Sequence, residues 1–528
     1  MRIPAPALLL LALAACADEP PRGSFPDGFL FGAATAGFQV EMGCPTLPAA
    51  ACTDAGSDWY AYVTSPRVRA LSNTHILGGD PARTGPGHWE LFASDYDLAR
   101  DGLHNNSFRM SIEWSRVFPR STVGVSGHAA LRALASRQAL DTYRAMFEAL
   151  ARRGLRPLVT IHHYTLPLWI HDGEGCTLNP TTCTARGWLD RQRIVAEMQK
   201  FAGFVAREFG GQVDLWATQN EPFAVVVSSF LQPTETRTNP PAVFLDADAS
   251  RASLLAMIEA HARVTDAVRQ NDTVDADGDG KPAQVGLVYA MAPVLPRDPQ
   301  RALDRAAAEN VFYLWNLLFL DATALGLLDA NLEGKGTRRA DLVGRMDFIG
   351  LNYKSSIRVE GVSGSLLPRL SPLLTLNPFT LDYSLVQPRG LYEICQLLQQ
   401  RYRLPIYITE NNGQQLWKKD EADEARFLTQ NLQWVSHAIA RGIDIRGFFY
   451  WAFSDNYEWN HGMTVDLGLY AVDENDPAKR RRPRSLVPLY GQVARDGAVS
   501  AALRERYPVD LAEPPTGGVP AADLFLSR

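Results

Sequence analysis

Two stretches far apart in the chain each end a β-like run with a carboxylate. Glu221 closes the run 213–220 within Thr218-Gln219-Asn220-Glu221-Pro222, and Glu410 closes the run 404–409 within Ile408-Thr409-Glu410-Asn411. Carboxylates at two separate strand ends are the equipment of glycoside hydrolysis: one acid protonates the leaving oxygen while the other supports or attacks the cationic sugar carbon. Other residues could serve that chemistry. Gln39 carries an amide that both donates and accepts, as sugar hydroxyls require, although it could equally satisfy loop backbone. In Phe108-Arg109-Met110-Ser111, alternation puts Arg109 and Ser111 on one face, and an arginine aimed into a core needs an acid, for which Glu410 is the candidate. His162 and His163 follow the next apolar run, but neighbours on a strand face opposite ways and no third ligand at metal-like spacing accompanies them. Tyr450-Trp451-Ala452-Phe453-Ser454-Asp455-Asn456-Tyr457-Glu458-Trp459 is too polar and aromatic for ordinary core; aromatic faces stack on sugar rings, and Glu458 can accept two hydroxyl hydrogen bonds.

Positioning these groups requires elements that end side by side. Apolar β-rich segments recur at 30–39, 105–111, 157–163, 213–220, 285–291, 348–353, 406–409 and 447–451, with helical periodicity between them at 140–153, 191–209, 254–270, 301–320 and 421–441. Strands alternating with helices and no Pro- or Gly-rich linker predict an α/β fold, a single (β/α)8 TIM barrel with long βα loops, in which all strand C-termini share one face. A barrel of this kind accommodates 528 residues as one domain. The expected division is a signal peptide at 1–15, a tether at 16–24, the barrel at 25–507 and a C-terminal tail at 508–528 that wraps the surface or is partly disordered.

The 52 basic and 58 acidic residues leave a net charge of −6, which gives no basis for nucleic acid as a partner. Arg2, the apolar run 7–13 and the small residues before Cys16 form a secretion signal too short to span a bilayer. Leu13-Ala14-Ala15-Cys16 resembles a bacterial lipobox, which implies an exported lipoprotein of the cell envelope anchored through Cys16; Ala17 favours the outer membrane, and a secreted soluble protein is the alternative. In such an oxidising compartment the close pairs Cys44 with Cys52 and Cys176 with Cys183 read as small-loop disulfides, and Cys395 as a buried, inert thiol within a helix. Asp275, Asp277 and Asp279 alternate as in the first half of a calcium loop, but Gly286 stands where the final glutamate would be; a plain acidic turn and a structural Ca2+ site are both open.

Taken in order, these stretches resemble the family 1 glycoside hydrolases, the β-glucosidase and β-galactosidase family, from about residue 25 to 507. Asn220-Glu221-Pro222 with Tyr407-Ile408-Thr409-Glu410-Asn411 is the specific signature, and His163-Tyr164-Thr165-Leu166-Pro167-Leu168-Trp169 with Asp455-Asn456-Tyr457-Glu458-Trp459 is closest to the archaeal β-glycosidase branch. The resemblance implies a cofactor-independent, retaining, exo-acting β-glycosidase with a small β-glycoside or oligosaccharide as substrate. It implies Glu221 as general acid/base, Glu410 as nucleophile, Gln39, His163, Asn220, Glu458 and Trp459 around the non-reducing sugar, Trp451 as floor, and Arg109 and Asn352 beside the nucleophile. The sequence departs from the family where a second tyrosine usually follows Asn352-Tyr353: Lys354 stands there, either supporting Glu410 as a cation or turned to solvent. An extra Asn412 precedes Gly413, and Asp466-Leu467-Gly468 replaces a common Arg-Phe-Gly. Glu458 argues against a 6-phosphorylated sugar, which its charge would repel, and Glu221 against the thioglucosidases, which carry Gln there. A non-catalytic sugar-binding protein and a transglycosylase are the competing readings.

Anchoring through Cys16 predicts that the full-length chain takes up radiolabelled palmitate when expressed in a bacterium and that Cys16→Ser abolishes the label; label retained by the variant contradicts it.

Overall fold

The computed structural model describes residues 23–413 and 420–526. Eight parallel strands, β1 (Leu30–Ala34), β2 (Ser107–Ser111), β3 (Arg156–His162), β4 (Leu215–Asn220), β5 (Gln284–Ala290), β6 (Phe348–Tyr353), β7 (Ile406–Asn411) and β8 (Ile445–Trp451), close into a barrel in chain order, with β1 pairing β8. The crossovers are α1 (Arg137–Arg152) before β3, α2 (Arg191–Phe209) before β4, α3 (Ala247–Asn271) before β5, α4 (Ala302–Phe312) before β6, α5 (Pro388–Tyr402) before β7 and α6 (Glu421–Ala440) before β8; α7 (Leu486–Asp496) follows the last strand. The predicted (β/α)8 architecture is what the chain adopts.

Local sequence explains the elements. In α1 the buried Leu140, Tyr143, Met146, Phe147 and Leu150 recur at three- and four-residue spacing, and the Ser136 hydroxyl caps its first turn by accepting from Ala139 N–H. Asp190 and Asp246 cap α2 and α3 in the same way. The strands are buried almost throughout, as parallel strands sheathed by helices must be. Leu30, Leu158, Leu215, Val288, Phe348, Tyr407 and Phe449, one each from seven of the strands, share an apolar cluster apart from the larger core. Gly32 leaves room for Phe449 in that cluster: a Cβ there would stand 2.4 Å from the Phe449 ring.

The structure departs from the sequence reading in two places. The first strand stops at Ala34, and Gly37–Val40 forms one helical turn, because the Ser111 hydroxyl takes the Gly37 N–H at 2.7 Å and diverts the chain. The helix expected at 301–320 is interrupted by a wider turn at Tyr313–Leu317, where the Asn316 amide leaves the helix to bond both Ala292 N and Ala292 O at 3.0 Å.

Cys44–Cys52 and Cys176–Cys183 are disulfide-bonded, and Cys395 is free and buried. The signal segment and Cys16 lie outside the described residues, and no described helix is long and apolar enough to cross a membrane. The tail wraps the barrel as far as Leu526: Val294 N donates to Gly518 O at 2.8 Å, Arg401 donates to Leu524 O at 2.9 Å, and the buried Phe525 ring lies 4.3 Å from that of Tyr313.

A tail that contributes to the core predicts that Phe525→Ala lowers unfolding free energy by about 3 kcal/mol, the lower end for a buried phenylalanine. Urea unfolding curves of the two proteins measure it; coincident midpoints would show that the tail adds nothing.

Candidate active site

The C-terminal ends of the strands meet around one guanidinium. Arg109 on β2 is fully buried, so its charge needs partners. It donates to Glu410 Oε1 at 2.7 Å and Thr409 O at 3.2 Å on β7, to Asn220 Oδ1 at 2.7 Å on β4, and through Nε to Thr160 Oγ1 at 3.3 Å on β3. The expected Arg109–Glu410 pair therefore forms inside a hub that also fixes Asn220. From there the network reaches the second carboxylate: Asn352 on β6 donates to Asn220 Oδ1 at 3.2 Å and to Glu221 Oε1 at 2.7 Å, while its own carbonyl accepts from Thr409 Oγ1 at 2.8 Å. Glu221 and Glu410 are thus held by shared neighbours at one mouth of the barrel.

Lys354 turns inward. Its ammonium lies 3.0 Å from Glu410 Oε2, so each oxygen of that carboxylate meets a cation, and 5.3 Å from the centre of the Trp451 ring. Burial alone would raise the pKa of Glu410, but Lys354 and Arg109 overrule it and hold the carboxyl below its ordinary value. For Glu221 burial again comes first and raises the pKa, and here the negative charge of Glu410 adds to it, against smaller opposing effects from Lys354, Tyr164 and Asn352. Burial is the larger cause and the neighbouring charge the second. Two carboxyls with pKa values pushed apart are what separates an acid from a nucleophile.

Glu221 occupies the left-handed region at φ +44°, as the residue immediately before the short helix Pro222–Val226. Such a backbone costs a non-glycine residue about 1 kcal/mol or more and persists only where its surroundings impose it. Tyr164 at φ +74° and Trp459 at φ +51° share the conformation, and they touch: their rings lie 4.7 Å apart, and the Tyr164 hydroxyl donates to Glu221 Oε2 at 2.6 Å.

Beyond the carboxylates a polar and aromatic wall closes the cavity. Gln39 donates to Glu458 Oε2 at 2.8 Å, and its own carbonyl oxygen is buried with no partner among the described residues. His163 is neutral, its pKa driven far down by burial and by Arg109; Nε2 meets Asn220 Nδ2 at 3.2 Å, while Nδ1 is buried and unpartnered among the described residues. Buried polar atoms are costly when unpaired, so these two suit a ligand that brings hydroxyls. The His163 ring stacks toward Trp451 and Trp459, whereas His162 packs against Trp188; the histidines diverge as strand alternation requires. Arg237, from the loop after β4, donates to Glu458 Oε1 at 2.7 Å.

The fold and cavity have known counterparts. The sequence profile of glycosyl hydrolase family 1 matches residues 21–498. The chain belongs to glycosyl hydrolase family 1. It is 32% identical to a β-galactosidase of Saccharolobus solfataricus over 90% of this chain and 96% of that one, and 30% identical to a β-galactosidase of Pyrococcus woesei over 91% and 99%. The crystal structure of the β-glycosidase from the hyperthermophile Thermosphaera aggregans superposes with a TM-score of 0.76 at 25% identity, covering 92% of this chain and all of that one. As a family 1 β-glycosidase the protein needs no cofactor.

All the residues the sequence singled out for the sugar and the nucleophile surround this mouth. Tyr164 and Arg237 were missed: Tyr164 lay within a quoted stretch without a role of its own, and Arg237 sits in a loop with no motif. The acidic turn differs from the expected arrangement. Asp279 spends its oxygens on Lys281 N and Gln284 Nε2, and the carboxylates that approach one another are those of Asp214, Asp275 and Asp277. Asp275 already accepts from the backbone of Gly278, Asp279 and Gly280, and Asp277 pairs with Arg156 at the start of β3.

Lys354 lowers the pKa of both glutamates, so its loss raises both. A reaction that uses Glu410 as the anion and Glu221 as the acid then predicts that Lys354→Met moves the acid limb and the alkaline limb of the kcat/KM profile to higher pH, with turnover falling about tenfold for one lost charge-assisted hydrogen bond. An unmoved profile would show that the ammonium does not act on the pair.

Proposed function

We propose that the protein is a retaining, exo-acting β-glycosidase that removes terminal non-reducing β-D-glucosyl residues, with tolerance for galactosyl and fucosyl. The observation that carries this reading is the opposed condition of the two carboxyls: Glu410 stabilised as an anion by Arg109 and Lys354, and Glu221 stabilised as an acid. In the first step Glu410 attacks C1 as the C1–O bond breaks, and Glu221 gives its proton to the departing oxygen. The glycosyl ester carries no charge on Glu410, so one of the causes that kept Glu221 protonated disappears. Glu221 then takes a proton from water as the water oxygen attacks C1 and releases Glu410. Tyr164 and Asn352, each bonded to one oxygen of Glu221, hold it in line for both transfers.

Exo-action is supported by the far wall, where Gln39, Glu458 and Trp459 are each no more than 4% exposed. Glu458 and Gln39 offer an acceptor pair to adjacent hydroxyls, and Trp451 and Trp459 offer ring faces. We also propose an exported, lipid-anchored protein of the cell envelope, which the lipobox-like Leu13-Ala14-Ala15-Cys16 supports and to which two short-loop disulfides are suited.

The purified protein is expected to release nitrophenol from 4-nitrophenyl β-D-glucoside, and more slowly from the galactoside and fucoside, with the β anomer of the free sugar seen first by proton NMR. Glu410→Gln should lose about a thousandfold or more of kcat, as a lost nucleophile does. Turnover of none of these glycosides, or equal turnover by the variant, would overturn the reading.

A further inference from the structure

Behind the reacting groups lies a second set of buried acids that the double displacement does not use. Glu113, just past β2, is fully buried, and so are Glu41 and Asp54 beside it. Arg116 pairs with Glu41 Oε2 at 2.5 Å and also offsets the charge of Asp54. The Tyr143 hydroxyl on α1 donates to Glu41 Oε1 at 3.0 Å and accepts the Glu113 N–H at 2.9 Å, and the Ser115 hydroxyl donates to Asp54 Oδ2 at 2.5 Å. His88, beyond Glu41, is engaged by Asp95. Three buried carboxyls around one guanidinium cannot all be ionised without a heavy desolvation cost, so the cluster holds a proton. Glu113 is where it sits. Its Oε1 and that of Glu41 border one spot beside Gly37, 2.6 and 2.9 Å from where a Cβ would stand, and among the described residues its own side-chain partners are the hydroxyls of Ser111, at 3.0 Å, and Thr165. Its pKa is pushed up to about 8, by burial first and then by the charge of Glu41.

Those two hydroxyls belong to segments that shape the site. Ser111 accepts the Gly37 N–H at 2.7 Å and so turns the chain after β1. Thr165 follows Tyr164, whose hydroxyl donates to Glu221 Oε2 at 2.6 Å. Tyr164 is the centre of a three-residue turn: the Thr165 N–H donates to His163 O at 3.0 Å, and φ at Tyr164 is +74°. Such a turn is strained for a residue with a Cβ and persists only where its flanks are held. Leu166 N–H is held by Asp58 Oδ1 at 2.8 Å, and the Thr165 side chain by Glu113. We propose that Glu113 is a positioning residue for the acid step, its neutral carboxyl bridging Ser111 and Thr165 so that Tyr164 stays turned toward Glu221. A hydroxyl both donates and accepts, so a protonated carboxyl keeps both bonds. Ionised, it would set an unpaired charge beside that of Glu41. The inference rests on the glycosidase reading and deepens it, by assigning what keeps the acid in line.

The test uses two glucosides that differ in their need for an acid. The full-length protein is assayed for kcat/KM on phenyl β-D-glucoside, whose leaving oxygen must be protonated, and on 2,4-dinitrophenyl β-D-glucoside, whose leaving group departs unaided. In Glu113→Ala the phenyl glucoside is expected to slow about tenfold more than the dinitrophenyl one, part of the hundredfold or more that a positioned acid contributes. Glu113→Gln, which mimics the neutral carboxyl, restores most of that ratio. If Glu113→Ala does not fold, Thr165→Val breaks the same contact and is read in the same way. A ratio left unmoved by loss of the contact, or not restored by Glu113→Gln, overturns the proposal. Urea unfolding gives a second readout that needs no substrate. A carboxyl whose pKa is raised on folding stabilises the protein at low pH and loses that contribution as pH climbs to the folded value, so wild type loses stability relative to Glu113→Gln between about pH 5 and about pH 8. A difference that does not change with pH overturns the neutral carboxyl, and the proposal with it. Cleavage of neither glucoside by wild type, with the pH-dependent difference present, removes the glycosidase reading itself and the positioning role that rests on it.

Discussion

The site depends on keeping one carboxylate charged where water is scarce. Glu410 is 3% exposed, and removing an ion of its size from water carries a penalty of several kcal/mol that only good pairing offsets. Arg109 meets that need, but it is itself buried and must be satisfied in turn, which it is by Thr160, Asn220 and Thr409. A single guanidinium therefore ties together residues of β2, β3, β4 and β7. The closed barrel makes this possible, because only closure brings strands separated by 301 residues of sequence within one hydrogen bond. Replacing Arg109 would leave a buried anion unpaired and slacken Asn220 together with it, which is why its contribution cannot be separated into stability and catalysis.

Around that pair the remaining groups divide the labour. Asn352 links Asn220 to Glu221 and so makes the position of the acid depend on the same hub. Tyr164, Glu221 and Trp459 all adopt left-handed backbone, and their mutual contacts hold one another there. Lys354 brings a full charge where relatives of this family commonly carry a tyrosine. It meets Glu410 directly and lowers the pKa of both carboxyls, against the burial that raises them.

Much of this was legible in the sequence because it follows from periodicity and from chemistry confined to strand ends. Glu221 and Glu410 stood out as carboxylates closing apolar β runs, and strand alternation alone pointed Arg109 at an acid. Gln39 was assigned to a strand and lies in a helical turn, since the Ser111 hydroxyl that turns the chain at Gly37 is a tertiary contact with no local signature. Arg237 was illegible for a related reason: its partner Glu458 lies 221 residues away, and nothing around residue 237 marks the loop as reaching the cavity. The tail could be seen to be irregular, but not that Phe525 would pack against Tyr313.

The central claim is that Glu410, held ionised by Arg109 and Lys354, forms a covalent bond to the sugar. It is tested most directly by mass spectrometry of the protein after reaction with a 2-deoxy-2-fluoro-β-glucosyl fluoride, whose fluorine at C2 slows the second step more than its leaving group slows the first. The account predicts one added fluoroglycosyl mass, located on the peptide that contains Glu410 and lost on prolonged incubation. Fluoride release without an adduct and with an α-configured sugar as product, or an adduct on a residue other than Glu410, would contradict it.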